Sequence, residues 1–154
     1  MTLPLKTLLP VDGSAHALAA VRHALRLAAG AGAAPSSFVL VNVQEPASLY
    51  EVVVTHDQER IADLKRGAGA DQLREAEALL DAAGADYESE VAGGVPEHLI
   101  VELAERYGCE AIVMGARGLA AAPGEGGLGS VALAVLEASV VPVTVVRARE
   151  EAAE

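Results

Sequence analysis

The sequence predicts a parallel α/β sheet with helices on both faces, and three observations lead there. Short, nearly continuous apolar runs recur at residues 6–12, 38–43, 111–114 and 142–146, as strands covered on both faces require. Between them, apolar residues repeat at helical spacing. Glycine, proline and serine punctuate the changes from one pattern to the other. Five strands alternating with four helical segments, joined by right-handed crossovers, make an open doubly wound sheet.

The first run ends in the turn chemistry of Pro10 and Asp12, and Ser14 follows as the N-cap of a helix. Leu18, Val21, Leu25 and Ala28 form that helix's apolar stripe up to the stop at Gly30 and Gly32. After the strand at 38–43, residues 44–70 are the hardest to assign. Val52, Val53 and Val54 suit a short strand or the buried turn of a helix, and Gly67 and Gly69 are expected to interrupt any helix that begins near His56. From Ala70, Leu73, Ala76, Leu80 and Ala83 share one helical face that stops at Gly84. The alternation over 87–91 predicts a strand at a sheet edge. Pro96 opens a third helix at its favoured first position, with Leu99, Ile100, Leu103 and Tyr107 buried. The strand at 111–114 leads into a loop of alanine and glycine over 115–127, a helix over 128–138 and a last strand. One domain over 1–148 is expected, with a short acidic tail at 149–154.

Composition narrows the function. The chain has 154 residues and a formal net charge of −11. A surface that acidic repels nucleic acid and anionic membranes, and neither is expected as a partner. No apolar run approaches the ~20 residues of a membrane span. Residues 1–12 lack the basic start and cleavage site of a signal peptide. Cys109 is the single cysteine, so a packed thiol and a cytoplasmic location are expected. His16, His23, His56 and His98 are dispersed, so no metal site is expected from protein side chains alone.

Chemistry concentrates where two strands end. One segment is Pro10-Val11-Asp12-Gly13-Ser14; the other runs from Gly115-Ala116-Arg117-Gly118 to Gly129-Ser130 at a helix start. In doubly wound sheets ligands bind beyond the carboxyl ends of strands. Glycine lets backbone approach phosphate oxygens, and a helix N-terminus offers unbonded N–H groups. Ser130 adds a hydroxyl and Arg117 a cation. Residue pattern alone leaves two readings open: a phosphate loop, or a flexible linker capped by Gly129-Ser130. Asp12 likewise suits either a ligand contact or an Asx-turn that shapes the corner. A Walker A loop is excluded, because Ser130 stands where its lysine belongs.

Val11-Asp12-Gly13-Ser14, Val113-Met114-Gly115-Ala116-Arg117-Gly118, Leu128-Gly129-Ser130-Val131 and Val141-Pro142-Val143 occur in the order found in the universal stress protein family, which the sequence resembles along nearly its whole length. The resemblance implies a five-stranded parallel sheet in the order 3-2-1-4-5 and a homodimer through the last strand, Val143–Val146. It also implies ATP as ligand, with adenine beside Val11 and Val41 and phosphates cradled by Gly115, Arg117, Gly118, Gly129, Ser130 and Val131. Asp12 would lie by the ribose or a phosphate-bound Mg²⁺. The family's ATP-binding members separate the second and third glycines by nine residues. Here Gly118 and Gly129 are separated by ten, with Glu125 in a stretch where a basic residue is usual.

The expected function is that of an ATP-binding regulatory or stress-response protein, not an enzyme, since no general base or P-loop lysine stands beside the loop. The alternative is a family member without nucleotide, acting as a dimeric protein-interaction module through its dimer surface and the 44–70 segment.

Overall fold

The computed structural model describes residues 5–30, 36–46, 51, 53–54, 57–119 and 127–149. The expectations for Gly32, Val52, His56, Glu125 and the tail beyond Arg149 lie outside them. The elements are β1 (Leu5–Pro10), α1 (Ala15–Gly30), β2 (Ser36–Gln44), α2 (Gln58–Ala82), β3 (Asp86–Gly93), α3 (Pro96–Arg106), β4 (Ala111–Gly115), α4 (Ser130–Ala138) and β5 (Val143–Val146). The strands are parallel, in the order β3-β2-β1-β4-β5. β3 is an edge strand, in agreement with its alternating sequence.

Successive residues of a strand point to opposite faces, and the central strands show why their sequences read as continuous apolar runs. Leu9, Val11, Phe38, Leu40 and Val113 pack with α1 and α2. Leu8, Val39, Val41, Ile112 and Met114 pack on the other face with α3 and α4. Leu8, Leu9, Leu40, Val41 and Ile112 are wholly buried. Two cores thus share one sheet, and aliphatic side chains fill both.

Two expectations for the middle of the chain are corrected. α2 runs without a break through Gly67 and Gly69. Its N-cap is Asp57, whose carboxylate accepts the Arg60 N–H at 3.0 Å. Gly69 is a close-approach position: a Cβ there would lie 2.5 Å from Val91 Cγ1 and 2.7 Å from Asn42 Oδ1. Losing the side chain lets α2 settle on β2 and β3. Val53 and Val54 are helical and more than half exposed, and so form neither a strand nor a buried turn. At α4 the helix begins at Ser130, two residues after the expected start, with Gly129 still extended as its N-cap. Among the described residues no helix is long and apolar enough to cross a membrane.

Candidate functional site

Strand order reverses between β1 and β4, and a cleft opens there beyond their carboxyl ends. It holds a cavity of about 390 Å³, within the usual range for small-molecule sites. Val11, Asp12, Val41, Gly115, Arg117, Gly118, Gly129, Ser130 and Val131 all line it. The fold therefore gathers every site residue singled out from the sequence onto one wall, from positions up to 120 residues apart (Val11 to Val131).

Asp12 organises the corner. Its Oδ1 accepts the Ser14 N–H at 2.9 Å, the expected Asx-turn, and Gly13 takes φ +85° to complete it. Ser14 caps α1 by accepting the Ala17 N–H on its hydroxyl at 3.1 Å. Asp12 Oδ2 accepts the Leu119 N–H at 3.1 Å, which joins the β1 corner to the start of the glycine loop. A Cβ on Gly118 would lie 2.7 Å from that oxygen. Each carboxylate oxygen has a second lone pair, so Asp12 retains accepting capacity.

The glycines have separate reasons for being small. A Cβ on Gly115 would fall 2.8 Å from Ala17 N and from His16 C, so this glycine lets β4 pass under the start of α1. Gly129 is the N-cap of α4, with φ −69°, and an added Cβ would meet Ala116 O at 3.4 Å. With glycine as cap, no side chain occupies the α4 N-terminus. The first turn-to-helix bond is Leu133 N–H to Gly129 O at 3.0 Å. The N–H groups of Ser130, Val131 and Ala132 precede it and have no intrahelical acceptor. These three residues border the cavity and give it a positive dipole end.

Val11 and Val41 supply apolar surface, not free backbone. The Val11 N–H donates to Val41 O at 2.8 Å. Its carbonyl accepts from the Asn42 amide at 2.8 Å, and that amide also donates to Gln72 Oε1 at 2.7 Å. Val11 therefore borders the cavity by its side chain, and Asn42 (1% exposed) pins the strand end to α2. Sequence reasoning missed Val43, Glu45, Ile100, Met114 and Ala116 on the wall. Val43 shares a strand face with Val41, so period two would have found it. Glu45 has no such signal.

Ala116 ties the site to the sheet edge. Its N–H donates to Val146 O at 2.8 Å, and its carbonyl accepts the Gly129 N–H at 2.7 Å. His16 Nδ1 accepts the Ala148 N–H at 2.9 Å, fastening the chain after β5 to α1. Cys109 is buried in the second core, where desolvation raises its thiol pKa. It is a packed thiol, as expected.

The sequence model described as the Universal stress protein family matches residues 5–147. Over 142 residues the chain is 31% identical to Universal stress protein MJ0531 of Methanocaldococcus jannaschii, covering 92% of this chain and 81% of that protein. The structure of the hypothetical protein MJ0577 superposes with a TM-score of 0.79 at 26% identity, over 96% of this chain and 98% of the other. A universal stress protein solved in complex with cAMP matches with a TM-score of 0.68 at 28% identity, over 94% and 98%.

Proposed function

Because the chain belongs to the Universal stress protein family, we propose that it is a regulatory protein that binds an adenine nucleotide in the cavity between β1 and β4. ATP is the ligand that the family resemblance implies. One observation carries the reading: an uncapped α4 N-terminus and Arg117 border the same cavity as an apolar wall of Val11, Val41 and Val43. The apolar wall suits a base, and the helix end with Arg117 suits phosphate. The related structure in complex with cAMP supports the ligand class. Gly129, Ser130 and Val131 hold the phosphate side with Gly115, Arg117 and Gly118, while Asp12 faces the ribose or a phosphate-bound Mg²⁺. The protein works by binding, in the cytoplasm, and not as an enzyme.

The proposed assembly is a homodimer through β5. Val143, Val145 and Val146 are partly exposed, and no charged residue interrupts the strand. Leu133, Leu136 and Val140 beside it are 48%, 40% and 83% exposed. The same apolar surface favours a second reading, an interaction module that binds no nucleotide.

Nucleotide released from the purified protein, identified by mass spectrometry and followed by ATP titration, separates the two readings. Saturable binding at or below millimolar ATP is expected; none at that concentration overturns the first reading. In Gly129→Val, two methyl groups enter the cavity mouth without a forbidden φ. Affinity should fall at least about tenfold, the loss expected when a charge-assisted phosphate contact is blocked, with the fold retained by circular dichroism. Undiminished binding would mean that the cradle lies elsewhere.

A further inference from the structure

Resting on the nucleotide reading of the cavity, we infer that Asn42 is a positioning residue for the site. With Gln44 and Gln72 it sets the Asp12 corner from the opposite face of the sheet, and the polarity of this amide cluster governs affinity. The strands part at that corner. Pairing of β1 with β2 ends at Pro10 opposite Val41, whereas β2 stays paired with β3 as far as Gln44. The Val11 carbonyl lies one residue past the last rung, and the Asn42 side chain supplies its donor, Nδ2 at 2.8 Å. The Val11 N–H is already held by Val41 O at 2.8 Å, so the Asn42 bond fixes the peptide that leads into Asp12. Alternation along β2 turns Val41 and Val43 to the cavity and Asn42 to α2.

The cluster's polarity follows from that carbonyl. Val11 O can only accept, so Asn42 must present its amide N–H groups to it. Nδ2 also donates to Gln72 Oε1 at 2.7 Å, and Asn42 Oδ1 accepts Gln44 Nε2 at 2.7 Å. Gln44 Nε2 reaches Gln72 Oε1 as well, at 3.1 Å, so Gln72 is the acceptor for both neighbours. Two glycines make room for this arrangement. A Cβ on Gly69 would lie 2.7 Å from Asn42 Oδ1, and one on Gly13, next to Asp12, 3.3 Å from Gln72 Cγ. Asp12 in turn holds the Ser14 and Leu119 N–H groups. A corner that shifts when the cluster is broken must be restored by the ligand, which lowers affinity.

Replacing either amide by its acid separates hydrogen-bond polarity from charge. In Asn42→Asp the Gln44 and Gln72 amides can turn to donate to the new carboxylate, but the Val11 carbonyl is left facing an oxygen. In Gln72→Glu a carboxylate brings charge to the same cluster yet still accepts from both neighbours. Titration calorimetry of the full chain with ATP, and with adenosine as an uncharged probe, reads affinity. Hydrogen exchange of the Ser14 and Leu119 amides, followed by NMR without ligand, reads the corner itself. Asn42→Asp should weaken both ligands about tenfold, as one buried acceptor loses its donor. It should also speed exchange at Ser14 and Leu119 while the core amides of Val39 and Ile112 stay protected, which general destabilisation would not do. Gln72→Glu should leave adenosine within about twofold of the unsubstituted chain and both corner amides equally slow. If Asn42→Asp does not fold, Gln72→Leu removes the shared acceptor without adding charge, and should weaken adenosine about threefold and speed the same two amides. Equal losses in Asn42→Asp and Gln72→Glu overturn the inference, as does corner exchange unchanged in Asn42→Asp, or in Gln72→Leu where that variant stands in. Absence of binding by the unsubstituted chain overturns the nucleotide reading alone, because exchange at Ser14 and Leu119 then decides the positioning role by itself.

Discussion

Asp12 joins two loops with one carboxylate: Oδ1 holds the turn into α1, and Oδ2 holds Leu119 at the start of the glycine loop. The first bond is local and readable from Asp-Gly-Ser; the second spans 107 positions and is not. Gly115 has the same double character. The sequence marks it as part of a glycine motif, yet its contact with Ala17 and His16 shows that helix packing already demands glycine there. Tyr107 illustrates a residue whose partner only the fold supplies. Its hydroxyl donates to Glu90 Oε1 on β3, and this bond, with desolvation and the Glu90 charge, pushes the phenol pKa up to about 12. Tyr87 is raised to about 12 chiefly by its hydrogen bond to Asp81. A folded pKa above the unfolded value of 10.0 means that these bonds contribute fully below pH 10 and lose their contribution as pH rises through about 12. Stability should therefore decline across that window, followed by tyrosinate absorbance and circular dichroism together. Tyr107→Phe should make the decline shallower; an unchanged profile would show that the Glu90 bond contributes nothing.

At the scale of elements, α2 shows where propensity misleads. Two glycines in three residues read as a helix break, because glycine costs about 1 kcal/mol against alanine in a helix interior. The structure separates them. Gly67 has open space around its Cβ position, while Gly69 is wedged against Val91 and Asn42. Gly67→Ala should stabilise the protein by about 0.5–1 kcal/mol. Gly69→Ala should destabilise it by about 1–2 kcal/mol, as overpacking against β2 and β3 exceeds the helix gain. Thermal or urea unfolding reads both, and equal signs would refute the packing account. The strands were more legible than α2, since a run buried on both faces needs no knowledge of its neighbours to be recognised. The 44–70 segment was less so, because its exposed Val53 and Val54 carry no burial pattern.

Over the whole molecule, the two sheet edges differ. β3 carries Asp86, Glu88 and Glu90, charges that oppose pairing with another sheet, whereas β5 reads Val-Thr-Val-Val. Light scattering should accordingly give twice the chain mass, and Val145→Lys should shift it towards the monomer. A monomeric mass for the unsubstituted chain would refute pairing through β5.

The sequence by itself determined the parallel α/β architecture, because strand burial, caps and glycine turns are local physics written at fixed spacings; with the family resemblance it also nominated nine of the residues that line the cavity. The family match on residues 5–147 agrees with the family resemblance. Tertiary structure decided the rest: that α2 continues through Gly69, that Val11 has its backbone engaged by Val41 and Asn42, and that Glu45 joins Asp12 on the cavity wall. Each of these depends on which atoms from distant segments come within a few ångströms, and no spacing along one chain encodes that distance.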